Sequence, residues 1–203
     1  MLERRWTFTL IATCTIIFIL QLFGSWWKYF AFTPAYAFSR PWTFVTSIFL
    51  HQPYICDVTG SCYLYLSHIA FNMFALLIFG IYLEGIVKPR DFLLIFFLSG
   101  IIGNIAYMLT ASDPTIPAIG ASGAIYGIIG ALAAIRPTAM VWVGYVPIPM
   151  VLAAILWGVT EFLGIFIPSS VAHVSHLGGL IIGAIYGLVL RRRKKRVTYL
   201  FSY

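Results

Sequence analysis

The chain has 203 residues, of which 61% are hydrophobic and only 9% charged, with a net charge of +7. Soluble domains carry about 25% charged residues, so a water-solvated globule is excluded, and the length suits a set of membrane helices joined by short loops. The positive charge does not point to nucleic acid: six of the thirteen basic residues form one run, Arg191 to Arg196, directly behind an apolar segment, as expected of a tail facing anionic lipid heads.

Apolar runs between polar or Pro/Gly breaks predict six membrane helices, over about 7–23, 65–86, 91–110, 122–136, 148–165 and 171–190. The first run follows "MLERRW" and ends in "GSWWKY" without a small-residue cleavage site, so it reads as a retained helix rather than a signal peptide. Segment 24–64 holds Trp26, Trp27, Tyr29 and Trp42 with Pro34, Pro41 and Pro53, the composition of a loop lying at the membrane interface. Its "CDVTGSC" places Cys56 and Cys62 six apart, either bridged, if this side is oxidising, or as two free thiols; Cys14 reads as a packing residue.

The fourth helix is short. From Ser122 to Arg136 is fourteen steps, about 21 Å, against a hydrocarbon core of about 30 Å. The proline-broken "SDPTIPAIGA" before it must therefore dip into the protein, where irregular backbone survives only if shielded or lining a wet cavity. Six spans put both termini on one side. Eleven basic residues fall on that side and two, Lys28 and Arg40, on the other, which makes the termini cytoplasmic and the 24–64 loop external. The fold expected is an all-α polytopic six-helix bundle, one membrane domain over 1–203 with a cytoplasmic basic tail at 191–203, in a prokaryotic cell membrane.

Helical rise also gives depths. His176 lies fifteen steps before Arg191, about 22 Å up, and Asn72 sixteen steps before Lys88, about 24 Å up, with His68 one turn higher. Together with Ser122 these polar groups converge on one level. Singly each has a plain reading, since a membrane serine bonds back to the i−4 carbonyl and His68 and Asn72 share a helix face. Jointly they suit acyl transfer: a serine hydroxyl needs a neighbouring base, and the tetrahedral intermediate needs fixed donors. Ser122 opens its helix, so its own N–H is free and the positive end of the helix dipole lies beside it. Gly120 and Gly123 allow a sharp turn and close approach of a substrate backbone. In "AHVSH", His173 competes with His176 but stands about a turn too high, and Glu161 either orients His176, bonds within the bundle or faces the aqueous cavity.

"GASG" at 120–123, "HIAFN" at 68–72 and "HLGGLIIG" at 176–183 resemble the signature of the rhomboid family of intramembrane serine proteases, in order, over roughly 40–190. The resemblance implies that Ser122 is the nucleophile and His176 its base in a dyad without metal or other cofactor. It further implies that His68, Asn72 and the Ser122 amide form the oxyanion hole, and that Tyr126 packs on the histidine. Gly179 and Gly183 match a small-residue seam facing Gly123, Gly127 and Gly130, and Glu84 in "GIYLE" matches a structural acid. The chain departs from the family's Trp-Arg in the outer loop, having Thr43 after Trp42 and Arg40 two positions before it. The implied partners are transmembrane protein substrates, entering sideways past the fifth helix, and membrane lipids. The rival readings are a silent rhomboid-like protein that binds membrane helices, and a small transporter relaying protons through His68, His176 and Glu161.

Overall fold

The computed structural model describes residues 5–167, 169 and 171–200. Arg4, the side chains of the basic tail from Lys194 onward and residues 201–203 lie outside the described residues. The protein is mostly helical, in the order α1 Arg5–Gln21, the strands β1 Tyr54–Cys56 and β2 Cys62–Leu64, α2 Ser67–Glu84, α3 Pro89–Thr110, α4 Ser122–Ile135, the strands β3 Met140–Val143 and β4 Val146–Pro149, α5 Met150–Gly164 and α6 His173–Leu200. Among the described residues three helices are long and apolar enough to cross a membrane, α2, α3 and the His173–Arg193 part of α6; α1, α4 and α5 are shorter apolar helices.

The all-α expectation needs correcting in one respect: among the described residues two short hairpins stand beside the helices, one in the loop before α2 and one between α4 and α5. β1 pairs with β2 so that Cys56 faces Cys62, and the two are bridged by a disulfide. Asp57 closes this hairpin by accepting from Thr59 N–H, Thr59 Oγ1 and Ser61 N–H, bonds that hold its carboxyl below the usual range. In the second hairpin Val143 faces Val146, leaving the two-residue turn Gly144-Tyr145, with Gly144 at φ 61°. Positive φ at the first turn position alone suits the primed turn that matches strand twist. Strands of three or four residues are too short for an alternating pattern to show. The sixth helix also runs ten residues past the expected end at 190, to Leu200, since Arg and Lys are good helix formers and nothing in the basic run breaks it.

Threonines along α1 are satisfied locally. Thr9, Thr13 and Thr15 donate to the carbonyls of Arg5, Thr9 and Ile11 one turn back. At the end of α2, the Glu84 carboxylate accepts from Trp6 N–H (2.8 Å), Thr7 N–H (3.0 Å) and Thr7 Oγ1 (2.7 Å). It thus occupies orphan donors at the start of α1, where negative charge also meets the positive helix end. The core is packed by Leu76, Leu83, Phe92, Ile95, Phe96, Ile128 and Leu132, all fully buried.

α4 and α6 meet backbone to backbone. A Cβ on Gly179 would strike the carbonyl oxygen of Gly123, and one on Gly183 that of Gly127. Only glycine lets two helices approach so closely, and this contact fixes the height of Ser122 relative to α6.

Candidate active site

Three helix N-termini converge at one end of the bundle: α2 begins at Ser67, α4 at Ser122 and α6 at His173. Their positive ends point at a common region. The chain reaches Ser122 through the irregular stretch 111–121, several of whose backbone groups pair with the 24–64 loop. Ala118 N–H donates to Phe32 O and Phe32 N–H to Ala118 O, Ala35 N–H reaches Pro114 O, and Gly120 N–H reaches Ser47 O at 3.0 Å. Asn104 of α3 anchors the loop in turn by donating to Phe44 O and Ser47 Oγ, both at 2.9 Å. This pairing satisfies polar backbone groups where the stretch turns inward, at buried Ala118 and Ala121.

Ser122 Oγ lies 2.7 Å from His176 Nε2. Ser122 is half-buried and His176 is 9% exposed, so the pair is shielded without being sealed. The Tyr126 ring, one turn beyond Ser122, stacks on the His176 imidazole with centroids 4.6 Å apart and planes 10° apart. Gln52 N–H donates to His68 Nδ1 at 3.2 Å, so a neutral His68 ring carries its proton on Nε2. That nitrogen faces Gly120, where a Cβ would stand 2.9 Å from His68 Nε2 and 3.8 Å from Ser122 Oγ. Gly120 has φ 127°, so both its conformation and this crowding call for glycine. Asn72 is buried and donates through Nδ2 to His68 O at 2.8 Å, leaving the second N–H of that nitrogen unspent. A Cβ on Gly123 would stand 3.0 Å from Ser175 Oγ, in the same α4–α6 contact.

The carboxylate of Glu161 in α5 enters this group. Its Oε1 accepts from Tyr126 OH and its Oε2 lies 2.6 Å from His173 Nδ1. Oε2 is also 2.9 Å from His176 Nδ1, but off the line of the ring N–H, so His176 Nδ1 makes no hydrogen bond although buried. The contact is a charge contact that favours a proton on Nδ1 and leaves the Nε2 lone pair facing Ser122. His173, the rival to His176 in sequence, does not touch Ser122; its Nε2 pairs with Ser169 Oγ at 2.9 Å. Glu161, His173 and His176 are also the three residues whose donor atoms lie within 4.8 Å of one another and could hold a metal ion.

One further residue borders these groups without having been singled out for it, and one loop residue is anchored differently from expectation. His51 is fully buried, its ring edge-on to His68 at 5.1 Å, and its backbone is held by Gln21 through a reciprocal pair of bonds. Sequence gave no periodicity to place it, since it lies in the loop before the first hairpin. Arg40, displaced from the family's Trp-Arg position, stacks its guanidinium over Tyr29 and Tyr36 at 4.8 and 4.7 Å, and Trp42 Nε1 donates to Tyr29 O. The loop is anchored by a different set of contacts from that expected.

The chain is similar to several known proteins. "Rhomboid-like protease 3" of Toxoplasma gondii is 33% identical over 112 residues, 55% of this chain and 36% of that protein. "Putative rhomboid protease YdcA" of Bacillus subtilis is 28% identical over 155 residues, 76% of this chain and 70% of that one. "Inactive RHOMBOID-like protein 8" of Arabidopsis thaliana is 33% identical over 91 residues, 45% of this chain and 22% of that protein. The chain thus spans from about a fifth to seven-tenths of these relatives' lengths. They come from bacteria and eukaryotes alike, which gives the expectation of a prokaryotic membrane no support. The apolar helices together with these relatives make the protein an integral membrane protein. With the sequence profile described as "Rhomboid domain" matching residues 39–193, three-quarters of its length, the chain belongs to the rhomboid family.

Proposed function

We propose that the protein is an intramembrane serine endopeptidase that cleaves transmembrane segments of other membrane proteins near their outer ends. The observation that carries this reading is the 2.7 Å contact between Ser122 Oγ and His176 Nε2 beneath three helix N-termini. In the proposed mechanism Ser122 Oγ attacks the scissile carbonyl carbon while its proton passes to His176 Nε2. The carbonyl oxygen becomes an oxyanion held by Ser122 N–H, His68 Nε2–H and the spare N–H of Asn72, donors already fixed before reaction. His176 then gives the proton to the leaving amine, and water repeats the sequence to free the acyl-enzyme. The substrate helix must unwind to expose its backbone, which weak helix formers such as glycine favour. In this reading the chain is a single domain of six spans with both ends cytoplasmic, and Ser122 opens toward the outside.

The test is cleavage of a single-span membrane protein by purified protein in detergent. Ser122→Ala and His176→Ala should each lower kcat by at least about 10⁴-fold, the scale on which serine hydrolases lose activity without either residue, while thermal unfolding stays within a few degrees. Retained cleavage by Ser122→Ala would overturn the mechanism. A second reading, a silent helix-binding protein, is favoured by the relative named inactive. It predicts that Ser122 resists a fluorophosphonate probe, which reacts only with an activated serine.

A further inference from the structure

We infer that Glu161, His173 and His176 form a binding site for a zinc-class divalent cation, and that its occupation switches off the Ser122–His176 pair. Its inhibitory effect rests on the protease reading above; the binding itself does not. Two imidazoles and one carboxylate on two helices supply the three-ligand set that leaves zinc a fourth position for water. One donor atom from each of the three residues lies within 4.8 Å of the others, and the contacts of His173 Nδ1 and His176 Nδ1 with Glu161 Oε2 make these three the atoms that would bind.

Two observations beyond the clustering point to a ligand here. The first is the unspent nitrogen. His176 Nδ1 is buried in a residue 9% exposed and makes no hydrogen bond, although it faces Oε2 at 2.9 Å. One cation would satisfy it, His173 Nδ1 and Oε2 together. The second is the outer shell. Metal-binding side chains are held by partners on their other polar atom, and each of the three has a hydroxyl there: Ser122 on His176 Nε2 at 2.7 Å, Ser169 on His173 Nε2 at 2.9 Å, and Tyr126 on Glu161 Oε1. The present N···O separations are 2.6 Å, a hydrogen bond, and 2.9 Å, a charge contact. Neighbouring ligands on a tetrahedral ion stand about 3.3 Å apart for bonds of about 2.0–2.1 Å, so binding asks these two pairs to part by about 0.4–0.7 Å and the two imidazole nitrogens to settle at the same spacing. The side chains of His173 and Glu161 are 18% and 12% exposed, so the group is not sealed within the bundle.

The consequence is a tautomer change. Without the ion, the protons sit on the two Nδ1 atoms, toward Oε2, and the Nε2 lone pairs accept from Ser122 and Ser169. Cation binding forms bonds from the Nδ1 lone pairs, so each neutral ring now carries its proton on Nε2. No electron is transferred and no net proton need be released. Ser169 exchanges donating for accepting at no loss. Ser122 does the same and loses its base, because His176 Nε2 now points a proton at Oγ.

Imidazole and carboxylate together favour Zn²⁺ and Cu²⁺ over Mg²⁺ and Ca²⁺. In detergent, full-length protein should be inhibited by Zn²⁺, restored by chelator, and unaffected by equal Mg²⁺. His173→Ala should need at least about 100-fold more Zn²⁺ for half-inhibition of its own activity, since even outer-shell partners are worth 10–100-fold in affinity. Glu161→Gln gives the same comparison where His173→Ala fails to fold. Binding is read separately on the Ser122→Ala protein by the d–d absorption of Co²⁺ and its displacement by Zn²⁺, abolished by adding His173→Ala. If no His173-dependent Co²⁺ spectrum forms, or if Zn²⁺ inhibits wild type and His173→Ala alike, the site is wrong. If that spectrum forms but no cleavage is ever seen, the site stands and the protease reading fails.

Discussion

Both ring nitrogens of His51 are buried without a partner, while its backbone N–H and C=O are both held by Gln21. Burial, and then the neighbouring His68, push its pKa from 6.5 down to about 3. Between those values the unfolded chain binds a proton that the folded protein refuses. His51 therefore leaves stability intact above pH 6.5 and erodes it as pH falls toward 3, by about 4 kcal/mol across the whole window. Thermal unfolding followed from pH 7 to pH 4 should show a falling Tm, with a shallower fall in His51→Leu, which has no proton to gain. An equal slope in the variant would show that the ring titrates freely. His51 also marks what could and could not be read in sequence at this scale. Ser122, His68, Asn72 and His176 stood out because each is polar within an apolar helical run, where rise per residue converts position into depth. His51 and Ser169 sit in loops, which have no such ruler. Glu161 was visible as a membrane carboxylate, but its meeting with His173, His176 and Tyr126 depends on the rotation of α5 against α4 and α6, which no single helix encodes.

At the scale of elements, the α4–α6 contact governs whether Ser122 and His176 meet at all. Residues 54 apart in sequence are brought to 2.7 Å because the two helices touch through glycine rather than through side chains. A valine at 183 would place its Cβ against the Gly127 carbonyl oxygen, and neither backbone can yield without moving its helix. Gly183→Val should cost about 3 kcal/mol or more, the upper range of overpacking, and should abolish probe labelling of Ser122 although both reacting side chains remain. Ile185→Val, on the same helix but 53% exposed, should change stability by less than about 0.5 kcal/mol. Equal labelling in Gly183→Val and Ile185→Val would mean that the seam does not set the geometry. The seam was legible as a run of small residues at helical spacing, as were five helix boundaries to within about three residues. The hairpins were not, since each is stabilised by its turn and, in the first, by a covalent bridge, rather than by any hydrophobic face.

For the molecule as a whole, the two hairpins turn orientation into a measurement. β1–β2 precedes α2 at the end where Ser122, His68 and His173 lie, whereas β3–β4 joins the opposite end of α4 to α5. Six spans with the basic flanks inside would leave the first hairpin outside and the second in the cytoplasm. Their tips are well suited to a probe, because Val58 and Tyr145 are almost wholly exposed. The native thiols do not interfere: Cys56 and Cys62 are bridged and Cys14 is buried. In intact cells, Val58→Cys should react with a membrane-impermeant maleimide at once, and Tyr145→Cys only after the membrane is permeabilised. The reverse order would place Ser122 on the cytoplasmic side and invert the route by which water and substrate reach it. Labelling of both in sealed cells would mean that α4, only fourteen residues long, does not separate the two hairpins by a bilayer.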